Sequence, residues 1–137
     1  MTELDKVYGS FLSKVNDYNL SLLNRSEAEI YEILSSYYNS AIAFFPQCRK
    51  DLKITDDGFV NDELTNLEIE IIAELMILQY LYPIIHRSEV LEQVLSDKDF
   101  KVNSQANHMN QLYNLYNKTR QEVSTHKAHY SWGGIYE

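Results

Sequence analysis

Residues 65–85 read TNLEIEIIAELMILQYLYPII and contain the longest uncharged apolar stretch of the chain, residues 75–85. Beyond Glu74 no charged residue appears until Arg87. Apolar side chains recur in this segment three and four residues apart, which is the period of an α-helix. A helix that is apolar on nearly every side lies buried among its neighbours. Residues 65–82 are therefore predicted to form the central helix of the fold.

Signals at the two ends bound this helix. Thr65 and Glu68 have the three-residue spacing of a capping box, in which each side chain hydrogen-bonds the backbone amide of the other. Pro83 predicts a break or a kink, because proline has no amide hydrogen and its ring clashes with the preceding turn. We expect a shorter helix over residues 84–95 to follow.

The flanking segments predict three further helices. Each repeats the helical spacing of apolar residues, and Thr2, Ser26 and Ser104 can cap their first turns. Pro46 ends or kinks the second helix. Residues 51–63 lack the pattern, contain a turn signal and predict a long exposed loop. The expected fold is all-α: a compact bundle of four to five helices over residues 1–127, followed by an extended C-terminal tail over residues 128–137.

Composition narrows the function classes. The 137 residues include 12 Lys and Arg against 20 Asp and Glu, giving a net charge of −8, with only four Gly and two Pro. So acidic a chain is a poor ligand for nucleic-acid phosphates. One cysteine excludes an internal disulfide. Residues 1–10 do not resemble a signal peptide, and residues 75–85 fall short of the about 20 residues of a membrane-spanning helix, so we expect no membrane partner.

Three groups of side chains have residue types that occur in catalytic or metal sites. They are His126 and His129 with His108 upstream, the carboxylates Glu68, Glu70 and Glu74, and Cys48 beside Arg49 and Lys50. None has the neighbouring ligands or base that such sites require. We expect solvated histidines, a helix cap at Glu68, a polar edge at the other two glutamates and a structural thiol. We therefore predict no catalytic, cofactor-binding or metal site. The alternative is a small helical enzyme that uses His108 or Cys48.

Eleven tyrosines divide between the bundle and the tail. Helical spacing predicts core or boundary positions for Tyr18, Tyr37, Tyr82 and Tyr116. The tail has four large hydrophobic residues outside the helical pattern: Tyr130, Trp132, Ile135 and Tyr136. Because tyrosine and tryptophan are enriched in interface hot spots, the tail is predicted to dock on a partner. The alternative is a tail that folds back on its own bundle.

Several blocks of sequence, taken in order, resemble a known family. They are ELTNLEIEIIAELM at residues 63–76, YLYP at 80–83, LSDKDF at 95–100 and SQANH at 104–108, with SAI at 40–42 and FPQC at 45–48 upstream. Together they are similar to head–tail connector proteins, also called adaptor or head-completion proteins, of tailed phages and prophages of Gram-positive bacteria. The resemblance covers residues 26–123. Its blocks are packing and turn motifs and include no catalytic motif.

The resemblance implies a non-enzymatic helical adaptor in the virion neck, made in the cytoplasm of the bacterial host. Such adaptors form a ring, typically of twelve copies, under the portal protein. The ring extends the DNA channel and receives the next neck or tail-completion protein. A terminal arm often docks on the portal, and the aromatic tail is our candidate for that arm.

The acidity has a possible purpose in such a ring, since a lumen lined with carboxylates repels DNA phosphates and lets the duplex pass without specific binding. The candidate channel-lining residues are Asp51, Asp56, Asp57, Asp62, Asp97 and Asp99. An alternative function is an acidic DNA mimic that inhibits a DNA-processing protein. The carboxylates are scattered among cations rather than gathered on one face, which favours the adaptor.

Overall fold

The computed structural model describes residues 2–15, 26–95 and 103–136, without the side chains of residues 27, 87–95, 103–109 and 134–136. The described elements are strand β1 (Thr2–Glu3), helix α1 (Leu4–Val15), helix α2 (Glu27–Ile42), strand β2 (Phe59–Val60), helix α3 (Asn66–Leu95) and helix α4 (Asn103–Tyr136). Four helices and one two-stranded sheet confirm the all-α bundle. Part of the first predicted helix, including Tyr18, and the polar segment with Asp97 and Asp99 lie outside the described residues.

Helix α3 is the centre of the bundle, as its apolar sequence predicts. It contacts α1, α2 and α4. Residues 71–77 are buried without interruption, which places every side of two turns against another part of the chain. Residues 66–86 also have the length and hydropathy of a membrane span, although half of the window is buried inside the fold. A central core helix accounts for both properties.

Pro83 does not divide this helix, contrary to the predicted break before a second, shorter helix. The side chain of Pro83 is exposed, whereas Leu81 and Ile85 on either side of it are buried in the core. The one backbone hydrogen bond that proline removes is therefore lost on the solvent side. Packing of the flanking residues keeps the chain helical through it.

The N-terminus forms a strand, so the predicted helix cap at Thr2 is wrong. Thr2 pairs with Val60 in an antiparallel register, and α1 begins at Leu4. The Thr2 hydroxyl donates to the Asp62 carbonyl at 3.0 Å and accepts from the Leu64 amide at 2.7 Å. These contacts join the end of the long loop to the start of α1. Residues 51–63 are non-helical, as predicted, but the expected exposure is wrong in part, because Leu52 and Val60 are buried in the core.

Helix α4 continues to Tyr136, so the segment predicted as an extended tail from residue 128 is helical to that point. Gly133 lies inside it, where glycine costs about 1 kcal/mol relative to alanine. The preceding turns are held on the bundle by the buried side chains of Val123 and Tyr130. Because an existing helix gains one hydrogen bond per added residue, it extends across a weak helix former.

The tyrosine positions are corrected in part. Tyr37 and Tyr116 are half-buried, in agreement with a boundary role. Tyr82 is 58% exposed, so its predicted core position is wrong. Among the tyrosines whose side chains are described, Tyr38 is the most buried, and its hydroxyl donates to the Leu52 carbonyl and so fixes the loop against α2.

We predict that Tyr38→Phe lowers the free energy of unfolding by about 1–3 kcal/mol, because it leaves the buried Leu52 carbonyl without a donor. Urea unfolding at neutral pH measures the change. Tyr31→Phe is the matched control, since its hydroxyl bonds Asp5 at the surface of the same helix. Equal stability losses for the two variants would contradict the role assigned to Tyr38.

Candidate partner interface

The Glu68 carboxylate, at the start of α3, joins three separate parts of the chain. Its Oε1 accepts from the Thr65 amide at 2.8 Å, and the Thr65 hydroxyl accepts from the Glu68 amide at 3.2 Å, which confirms the predicted capping box. Its Oε2 accepts from the Tyr130 hydroxyl of α4 at 2.7 Å. The Lys50 ammonium, from the loop after α2, lies 3.9 Å from Oε1. Burial by itself would raise the pKa of Glu68, but the hydrogen bonds and the Lys50 charge outweigh it and hold the pKa below its usual value.

Tyr130 is the residue that fastens α4 to the loop after α2. Its side chain is only 3% exposed, and its ring packs edge-on against Phe45 at 5.2 Å between centroids. The hydroxyl also accepts from the Arg49 amide at 2.9 Å, while the Arg49 guanidinium lies 4.1 Å from the ring centroid. Tyr130 is therefore part of the core and is not a free partner contact, which corrects its predicted role.

Cys48 belongs to the same cluster and does not have the character of an activated nucleophile. Burial raises the pKa of its thiol, and the nearby hydrogen bonds do not offset that effect. The thiol points at Glu68 Oε2, 3.7 Å away, and the Tyr130 hydroxyl lies 3.9 Å from the sulfur. This environment is that of a structural thiol.

A second polar contact joins α3 to α4 at Glu74, which is buried rather than on a polar edge as predicted. His126 Nδ1 lies 2.5 Å from Glu74 Oε1, so the expectation of a solvated histidine is also wrong. Burial raises the pKa of Glu74, and the contact with His126 compensates only in part. Among the described residues, no three His, Cys, Asp or Glu side chains come together in a possible metal site.

These contacts leave an open groove between α3 and α4, which we call the cationic groove. Its volume is about 420 Å³. It is lined by Phe44, Leu78, Tyr82, Tyr116, Arg120 and Lys127, among others. Phe44 and Tyr82 are more than half exposed. The two cations are Arg120, 5.9 Å from the Tyr116 ring, and Lys127, which donates to the Phe44 carbonyl. No carboxylate occurs among the described residues that line it.

The cationic groove was missed at the level of sequence, although part of its signal is present there. Tyr116, Arg120, Val123 and Lys127 are spaced by four, three and four residues, so they share one face of α4. The contribution of Phe44 could not be anticipated, because it comes from the turn after α2 and depends on how α4 packs.

An acidic groove of about 560 Å³ lies at α1, α2 and the long loop. Its lining includes Glu3, Asp5, Asp56 and Asp57 together with Tyr8 and Tyr31, and the described lining contains no Lys or Arg. The two grooves have no lining residue in common. The described surface therefore has two grooves of opposite charge, and each groove also contains aromatic side chains.

The predicted partner residues are separated by the structure. Trp132, two residues beyond the buried Tyr130, is 63% exposed. The side chains of Ile135 and Tyr136 lie outside the described part of the chain, although their backbone belongs to α4. Of the four, Trp132 is the residue that the structure places at the surface.

The predicted channel-lining aspartates also differ among themselves. Asp51 accepts from the Lys53 amide and from Asn61, and Asp62 accepts from the Asp51 amide, so both organise the loop. Asp56 and Asp57 are exposed in the turn at its tip. Asp97 and Asp99 lie outside the described residues.

Comparisons with protein-family models, curated proteins and solved structures give no match.

We predict that Tyr130→Phe lowers the free energy of unfolding by about 1.5–3 kcal/mol at pH 7, because it removes a hydrogen bond to a buried carboxylate. Denaturant unfolding measures the loss. Tyr113→Phe is the control on the same helix, since Tyr113 is 44% exposed, and it should change stability by less than about 0.5 kcal/mol.

The loss at Tyr130 should also depend on pH. Folding lowers the pKa of Glu68. Its ionised form therefore stabilises the protein fully at any pH above the pKa of glutamate in the unfolded chain, about 4.3. The stabilisation is lost as the pH falls through the lower pKa of the folded protein. The stability difference between wild type and Tyr130→Phe should therefore shrink in acid. A difference that is constant from pH 7 to pH 3 would contradict the contact with ionised Glu68.

Proposed function

We propose that this chain is a structural virion protein, a head–tail connector adaptor that forms a ring under the portal. The observation that carries the proposal is the exposed Trp132 on a helix anchored by the buried Tyr130 just before it. The last two turns of α4 therefore form a helical arm, which Tyr130 holds on the bundle. Such an arm presents an aromatic side chain to a partner with little loss of conformational freedom on binding.

The chemistry of the candidate catalytic residues also supports a structural role. The Cys48 thiol has a raised pKa, and Glu68 and Glu74 are engaged in contacts that hold helices together. The resemblance of residues 26–123 supplies the class of assembly, comprising the portal, neighbouring copies and the next neck protein. Within that proposal, a net charge of −8 keeps the lumen from retaining the DNA that passes through it.

The test is the mass of the chain mixed with the portal protein of its own structural gene cluster, measured by native mass spectrometry. We expect a ring of the chain on each portal. Because interface tryptophans contribute about 2 kcal/mol or more, Trp132→Ser should weaken binding about 30-fold.

Tyr113→Ser is the matched control, because it removes an exposed aromatic from the same helix away from the arm, and it should bind like wild type. Substitution of Trp132 is preferable to deletion of residues 130–137, which would also remove the buried Tyr130 and destabilise the bundle. Absence of any complex between the folded wild-type chain and the portal would overturn the proposed function.

A further inference from the structure

The two grooves of opposite charge suggest how copies of this chain contact each other. In a protein of net charge −8, Arg120 and Lys127 are placed beside exposed aromatic surface with no carboxylate among the described lining residues. An anionic occupant matches that surface in charge. The same chain presents two adjacent carboxylates, Asp56 and Asp57, at the tip of its long loop.

We propose that the turn at residues 55–58 of one copy docks in the cationic groove of a second copy. The contact specifies how copies of the proposed adaptor meet. It rests on the proposed function only for the closing of a row of copies into a ring. It joins two different surfaces of the protein, so it is head-to-tail. Repetition of a head-to-tail contact gives a ring when the rotation between copies closes.

The turn has the rigidity that such a ligand needs. The Gly58 amide donates to the Thr55 carbonyl at 3.1 Å, and Gly58 has a φ of 83°, which residues with a side chain rarely adopt. The Thr55 amide donates to the Phe59 carbonyl at 2.7 Å, and the Phe59 amide donates to the Thr55 hydroxyl at 3.2 Å. Because these bonds fix the backbone in the free protein, little ordering is required when the carboxylates bind.

The cationic groove offers complementary groups. The exposed Arg120 guanidinium can bind a carboxylate with two parallel hydrogen bonds. The Lys127 ammonium uses one of its three hydrogens on the Phe44 carbonyl and has two others. Phe44 and Tyr82 are 55% and 58% exposed and supply apolar area that a docked loop covers.

Docking of the turn assigns Asp56 and Asp57 to the contact between copies rather than to the lumen suggested by the resemblance. The two roles have different consequences. Charge reversal at a lumen residue leaves the association between copies unchanged, whereas reversal at a docked residue opposes the cations of the groove.

Two single variants and their mixture test the contact. Arg120→Glu reverses one of the two positive charges of the groove, and Asp57→Lys reverses one of the two negative charges of the turn. Each variant alone should self-associate about tenfold more weakly than wild type at low ionic strength, measured by sedimentation velocity. In the mixture, the intact turn of the first variant meets the intact groove of the second. The two substituted surfaces also have opposite charges, so the second contact in the mixture is not repulsive. The mixture should therefore associate about tenfold more tightly than either variant alone.

Matched controls keep the same changes of charge. Lys118→Glu is exposed on α4 outside the groove, and Glu32→Lys is exposed on α2 outside the acidic groove. Both should self-associate like wild type, and circular dichroism checks that all four variants fold. A wild-type chain that stays monomeric at its highest soluble concentration in low salt, or charge variants that associate like their controls, would overturn the inference.

The portal measurement separates this inference from the proposed function. If the charge variants block self-association while wild type fails to bind the portal, the docking contact stands and the adaptor role falls. If wild type binds the portal through Trp132 and the charge variants assemble like their controls, the adaptor role stands and the docking contact falls.

Discussion

The buried carboxylate of Glu68 is the group on which the arrangement of the chain depends. An ionised carboxylate removed from water requires several hydrogen bonds, and here they come from the Thr65 amide and the Tyr130 hydroxyl. One donor belongs to the start of α3 and the other to α4, 62 residues further along the chain. The need to satisfy one charge therefore fixes the long C-terminal helix in register against the central helix.

That register has consequences at a distance. With Tyr130 held, the same helix brings His126 to Glu74 and Lys127 to the Phe44 carbonyl. The face of α4 that carries Tyr116 and Arg120 then lies next to α3 but does not pack fully against it. The space left between the two helices is the cationic groove. A stabilising contact and a candidate binding surface thus arise from a single helix placement.

The fold and the interface differ in how far sequence reasoning reaches them. The start of the central helix, its capping box and its apolar face up to residue 82 follow from local patterns, because apolar period and capping depend on residues within one or two turns. Local rules were wrong at Pro83, where packing of Leu81 and Ile85 overrides the break, and at the tail, where the anchored Tyr130 lets the helix cross Gly133. In both places a tertiary contact outweighs a local preference.

The sequence by itself determined that this protein is an acidic helical bundle built around residues 65–82, since charge and hydrophobic period are properties of the chain alone. Only the tertiary structure decided which tail aromatic is buried and which is exposed. Tyr130 and Trp132 are both large aromatic residues two positions apart, and the presence of Glu68 beside one of them makes the difference. Once α4 continues through this segment, residues two apart lie on different sides of it, so Tyr130 and Trp132 cannot both face the bundle. The contact of Tyr130 with Glu68 joins segments more than sixty residues apart and is fixed by helix packing.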